Sequence, residues 1–234
     1  MNDWLEFWNG THRVYVNDRH REVHYRRVAT DIIGLLPDSG AHVLDYGAGE
    51  ARFAGWIAAS ATRVTLCEAA AEVRGNLTAR YAGHPKITVI SEQELSVVPG
   101  GSVGLLVANS VVQYLGRDEL ERLLTEARRL LAPAGVLLIG DVVPRAGSVL
   151  ADATSLLRYA IRERFFWAAL RALAATAFSP YTRIRRRLGL TRYDESEMLA
   201  LLSAHGFSAR RHTPNLSHNQ SRLAFLATRR SETS

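Results

Sequence analysis

Residues 41–51 read AHVLDYGAGEA, an apolar run that fits a short buried strand and breaks into an Asp-x-Gly-x-Gly turn. A helical pattern follows from about residue 52 to 60. A strand that turns through glycines into a helix belongs to parallel α/β architecture. The glycines let the backbone approach a ligand, and the first N–H groups of the helix have no partner within it.

The same alternation continues along the chain. Strands are expected at 63–68, 86–90, 103–108 and 136–141, with helices at 71–82 and 117–131; the second of these ends at Pro133-Ala134-Gly135. Its face carries Leu120, Leu123, Leu124, Ala127 and Leu131. After a helix at 195–205, two strands at 207–212 and 223–228 follow one another with no helix between them. The expected fold is therefore α/β: a doubly wound, mostly parallel sheet with an antiparallel C-terminal edge strand. A helix at 17–36 precedes the sheet and carries His20, His24 and Arg27 on one face.

At 234 residues the chain suffices for one domain. Its only cysteine, Cys67, excludes an intramolecular disulfide and a thiolate-rich metal site, and no metal is expected. The N-terminus has no apolar stretch of secretory type, so a cytoplasmic location is expected, with peripheral membrane contact as an option. Residues 145–192 hold ten arginines against two acids, Asp152 and Glu163, and carry the basic excess of a chain whose net charge is +6. Residues 165–178 are apolar but too short to span a bilayer.

Glu68 closes the second strand, where a carboxylate can accept both hydroxyl protons of a ribose. A dinucleotide fingerprint would need a third glycine at position 52, and Arg52 stands there. Four blocks in order, VLDYGAGEA (43–51), LCEAA (66–70), SVGLLVANSVVQYL (102–115) and LLAPAGVLLIGDVVP (130–144), resemble the class I, Rossmann-like S-adenosylmethionine-dependent methyltransferases. The resemblance covers roughly residues 20–140 and 190–229. It departs at Ala51, where the family has a third glycine, and at Gly104, where it has an acid.

The resemblance implies S-adenosylmethionine as cofactor. Asp45 would lie near its methionine end, with Tyr46, Gly47, Ala48 and Gly49 forming the loop beneath it. Glu68 and Ala69 would hold the ribose, and Glu92 or Gln93 the adenine edge. Asn109 and Ser110 would meet the methionine portion and face the acceptor. Methyl transfer needs alignment, and a base only where the acceptor must lose a proton. His218 stands first among the catalytic candidates, because its polar loop (215–220) is not explained by core packing. Asp141 and His20 follow, and Gln113, Tyr114, His24, Asn219 and Gln220 are the substrate-facing candidates.

Three special chemistries find no support. The loop after strand four, Asn109-Ser110-Val111-Val112, lacks the Pro-Pro-aromatic motif of exocyclic amine methylation. Cys67 lies in a strand, not in the position of an attacking thiol. Val142 after Asp141 argues against a metal-dependent catechol site. Gly100-Gly101-Ser102-Val103-Gly104 matches a hydrolase elbow in letters only, since it follows a turn and opens a strand.

The expected organisation is one methyltransferase domain, with residues 1–36 as a helical lid and 145–192 as a helical, arginine-rich insert. The insert fits a lid over a small or lipid-like acceptor, and next a basic helix on an anionic membrane. Nucleic acid is least favoured, because the run at 183–187 (RIRRR) lacks interleaved aromatics. The expected function is methylation of an O or N atom of such a metabolite. The alternatives are a non-catalytic membrane- or partner-binding protein on the same scaffold and an RNA methyltransferase. Oligomeric state is left open.

Overall fold

The computed structural model describes residues 3–9, 15–36, 40–147, 149–176 and 189–230. Seven strands form one sheet: β1 (His42–Tyr46), β2 (Arg63–Cys67), β3 (Ile87–Ile90), β4 (Val103–Asn109), β5 (Leu131–Val142), β6 (Phe207–His212) and β7 (Leu223–Arg229). Their order is β3-β2-β1-β4-β5-β7-β6. The first five are parallel. β7 runs antiparallel to β5, and β6 pairs antiparallel with β7 at the edge. The helices are α1 (Asp3–Trp8), α2 (Asp18–Gly34), α3 (Ala54–Ser60), α4 (Ala71–Arg80), α5 (Arg117–Leu130), α6 (Val149–Arg162), α7 (Phe166–Thr176) and α8 (Glu195–Ala204).

Unbroken apolar strands reflect a sheet covered on both faces, because neighbouring residues point to opposite sides. Leu44, Leu106 and Leu137 join α5 and α8 in one core; Val43, Leu105 and Leu138 join α2 and α3 in the other. Val23 of α2 forms a third, smaller cluster with Tyr159, Ala160, Phe165 and Ala169, which ties α2 to α6 and α7.

Leu131 departs from the helix expected for it. It takes an extended conformation and pairs with Val103 as the first residue of β5. Gly104 explains the missing family acid: a Cβ there would lie 2.9 Å from that of Ala41, so the position has no room for a side chain. Ser102 closes the turn before β4, its hydroxyl donating to the Pro99 carbonyl at 2.6 Å, which fits punctuation and not a nucleophile. The run at 183–187 lies outside the described residues.

Candidate active site

The parallel strands deliver their carboxyl ends to one edge of the sheet, where loops can gather ligand-binding groups. A cavity of about 1120 Å³ opens there. The glycine turn forms its floor. Gly47 (φ +72°) and Gly49 (φ +58°) both occupy the left-handed region. The N–H groups of Gly47 and Ala48 donate to the Cys67 carbonyl at 2.8 and 3.2 Å, pinning the turn to the end of β2. Ala51 (φ +35°) adopts the left-handed side without being glycine. Its carbonyl accepts the Tyr81 hydroxyl at 2.5 Å.

A Cβ on Gly47 would come within 2.4 Å of Val111 Cγ2. Gly47→Ala is therefore expected to cost roughly 2–4 kcal/mol of stability in denaturant titrations, from overpacking and the left-handed backbone together. In Gly47→Ala/Val111→Ala the clash is gone, and only the backbone share of about 1–2 kcal/mol should separate it from Val111→Ala.

Two carboxylates line this floor. Asp45 lines the cavity, and no donor contacts it among the described residues. Burial, then the negative charge of Glu68, pushes its pKa up to about 7. Glu68 is 92 % buried by its 8 % exposure, yet both of its oxygens are engaged. Oε2 accepts the Gly49 N–H and Oε1 the Ala70 N–H, each at 2.9 Å. Burial raises the Glu68 pKa, and those backbone donors pull it back. Arg74 clamps the following backbone, donating to the carbonyls of Glu68 (2.9 Å) and Ala69 (3.0 Å).

Tyr46 is largely buried yet lines the cavity, its hydroxyl donating to Glu92 at 2.7 Å. Ala69 and Glu92 line the cavity; Gln93 does not, because it opens a short 3-10 helix and points to solvent.

The other half of the cavity is built by β4, β5 and the 213–222 loop. Ser110 and Asp141 both have φ +60°, a left-handed pair at the strand ends. Asp141 accepts the hydroxyls of Ser110 (2.8 Å) and Ser217 (2.7 Å) and the amide of Asn215 (3.2 Å). Three donors occupy this carboxylate, so it fastens the loop to the sheet and does not stand free as a base. Asn109 lies along the same wall, its Oδ1 buried without a partner among the described residues. Gly140 leaves the space that Asn109 fills, since a Cβ there would meet Asn109 Oδ1 at 2.4 Å.

Gln220 is off the cavity. Its amide nitrogen donates to the carbonyls of Asn215 (3.0 Å) and Ser217 (2.8 Å), holding the loop in shape. Asn219 lines the cavity and bonds Asp152 of α6 at 2.7 Å. Arg222 joins Asp152 (3.0 Å) to Gln113 (3.3 Å).

His20, His24 and His218 all line the cavity, although they come from α2 and the distant 213–222 loop. His20 stacks on Phe165, with ring centroids 5.0 Å apart, and stands edge-on to His218 at 5.8 Å. His218 stacks on Tyr159 at 4.8 Å. Burial is the main cause that lowers all three pKa values, to about 3 for His20 and about 4 for His24. The rings are therefore neutral at pH 7. His20 Nδ1 accepts the Val16 N–H at 3.3 Å, which leaves its proton on Nε2 and makes the ring a donor. His218 Nδ1 is buried with no partner among the described residues.

Several lining residues had no motif to announce them. Tyr25 accepts the Glu50 N–H at 3.0 Å and presses over Gly49. Trp4 and Trp8 pack on Tyr114 at 4.7 and 5.5 Å between ring centroids. The i, i+4 spacing of the two tryptophans was the available signal.

A family profile described as "Methyltransferase domain" matches residues 44–139. No curated protein matches the chain significantly. Among solved structures, the YcgJ protein of Bacillus subtilis is similar with a TM-score of 0.60 and 14% identity, covering 88% of this chain and 99% of that one. The DhpI–SAH complex is similar with a TM-score of 0.60 and 12% identity over 97% and 96% of the two chains. An O-methyltransferase family protein of Burkholderia thailandensis gives a TM-score of 0.54 and 11% identity over 87% and 55%. At these identities the likeness is one of fold.

Proposed function

We propose that this chain is a class I, Rossmann-like S-adenosylmethionine-dependent methyltransferase and that it methylates an O or N atom of a small or lipid-like metabolite. The observation that carries this reading is the continuity of the cavity. Asp45 and Glu68 line the same cavity as His20, His24 and His218.

The residues fit the cofactor. Asp45 is a carboxylate without a donor, suited to an ammonium group. Each Glu68 oxygen keeps a lone pair for a ribose hydroxyl after its backbone bond. Glu92, oriented by Tyr46, is left for the adenine edge. When bound, S-adenosylmethionine supplies a methyl carbon already activated by a sulfonium.

The protein then has to hold the acceptor in line, exclude water and receive a proton where the acceptor carries one. Trp4, Trp8, Tyr114 and Leu156 give the acceptor's body an apolar, largely aromatic bed. His20 donates a hydrogen bond through Nε2. His218, a neutral ring on the cavity wall, takes up the acceptor's proton. A ring whose pKa is lowered suits a proton that leaves readily, as from a phenol-like hydroxyl or an amine, better than one from an aliphatic alcohol.

Incubation with methyl-labelled cofactor and cell extract, followed by identification of the labelled product, tests the acceptor class. Label appearing only in RNA would overturn the small-molecule reading. His218→Ala is expected to lower kcat about 10²–10³-fold at saturating cofactor while leaving the KM for cofactor within about twofold. At saturating cofactor the wild-type kcat should hold on the acid side to below pH 6.5, since burial lowers the His218 pKa and the neutral form persists. An unchanged kcat in His218→Ala would remove it from the proton path.

A further inference from the structure

The helices between β5 and α8 present an outward face that the cavity does not use. Phe165, Tyr159, Ala160 and Ala169 turn inward against Val23 of α2 and anchor both helices. On α6, Thr154, Arg158 and Ile161 are exposed at i, i+4 and i+7, beside Arg162. On α7, Trp167, Leu170, Arg171 and Ala174 are exposed at i, i+3, i+4 and i+7, with Arg164 in the turn between the helices. Trp167 is 79% exposed, Ile161 64% and Leu170 43%, three of the five most exposed large apolar side chains among the described residues.

Charge on this face has one sign. Both acids of the segment are already paired with arginines. Asp152 faces the cavity in its 3.0 Å pair with Arg222. Glu163 is paired with Arg162 (3.3 Å) and with Arg19 (3.7 Å) of α2. Arg158, Arg164 and Arg171 have no acidic partner among the described residues. A bare apolar ridge that includes a tryptophan, ringed by unpaired arginines, matches the interface of a bilayer. There the indole sits at headgroup depth and guanidinium groups meet lipid phosphates. No helix among the described residues is long and apolar enough to cross a membrane, so the contact would lie on the surface.

We propose that the exposed face of α6 and α7 docks on an anionic lipid surface. Flotation of the intact protein with vesicles tests it, comparing phosphatidylcholine alone with phosphatidylcholine containing phosphatidylserine. The expected result is partition onto the anionic vesicles only, weakened by salt. Each arginine removed should cost about fivefold, so Arg158→Gln/Arg164→Gln/Arg171→Gln together should cost on the order of a hundredfold. Trp167→Ala/Leu170→Ala should release the protein from the vesicles. Trp167→Phe should keep most binding but lose the blue shift of tryptophan emission. These side chains are exposed, so an unchanged circular dichroism spectrum is expected for every variant.

No partition onto anionic vesicles, or partition indifferent to these substitutions, would overturn the proposal. So would a dimer in sedimentation equilibrium that Trp167→Ala dissociates in the absence of lipid, which would assign the face to a second copy.

Discussion

Glu68→Ala is expected to weaken S-adenosylmethionine binding at least about a hundredfold, measured by calorimetric titration. A hydrogen bond to a charged acceptor is worth about 1.5–3 kcal/mol, and the two ribose hydroxyls would lose two of them. The substitution also strips the acceptor from the N–H groups of Gly49 and Ala70, both held at 2.9 Å by this carboxylate. Leaving buried donors unpaired costs about 1–3 kcal/mol each, so the glycine turn should loosen and the melting temperature fall. Glu68→Gln separates the two effects. Its carbonyl still serves one backbone donor, whereas its NH₂ opposes the other, so both affinity and melting temperature should fall between wild type and alanine. A dissociation constant within about threefold of wild type in Glu68→Ala would remove Glu68 from the cofactor site.

The sequence announced that residue because Glu68 ends an apolar run one strand after the glycine turn, and both are local patterns. The same holds for most of the sheet. Strands buried on two faces read as continuous apolar runs, and Val43/Leu44 and Leu137/Leu138 divide between the two cores as such runs require. Leu131 escaped because its apolar character fits a helix face as well as a strand start. Only its pairing with Val103 decides between them, and that contact is nonlocal.

The histidine-lined half of the cavity was less legible for the same reason. His20 and His218 are 198 positions apart, and their ring contact depends on how α2 lies over the 213–222 loop. Asp141 was visible as a polar residue at the end of a strand. That Ser110, Ser217 and Asn215 would all donate to it was not, since two of those donors come from a loop more than seventy residues away. Gln93 and Glu92 are adjacent in sequence and equally polar. Glu92 accepts the Tyr46 hydroxyl and lines the cavity, whereas Gln93 opens a 3-10 helix and is exposed.

Asp45 gives the second large effect, and its sign can be worked out. Burial and the neighbouring Glu68 hold its pKa at about 7 in the free protein, above the ordinary 3.8. An ammonium placed beside it favours the ionised form and lowers that pKa in the complex. Below pH 7, binding must therefore expel a proton, and affinity should fall about tenfold for each pH unit until the complex's own pKa is reached. Between pH 8 and pH 5 the loss should approach a hundredfold. Calorimetry in buffers of different ionisation enthalpy should register close to one proton released near pH 6.

Stability of the unliganded protein should move the other way. The contribution from the retained proton is present below about pH 4 and is lost as pH rises through about 7, so saturating cofactor should flatten or reverse that slope. Glu68 is shifted in the same direction, which makes Asp45→Asn the discriminating variant. It should bind weakly, with affinity losing most of its dependence on pH over this range. If Asp45→Asn kept the wild-type pH profile, the proton would belong to another group and Asp45 would not face the ammonium.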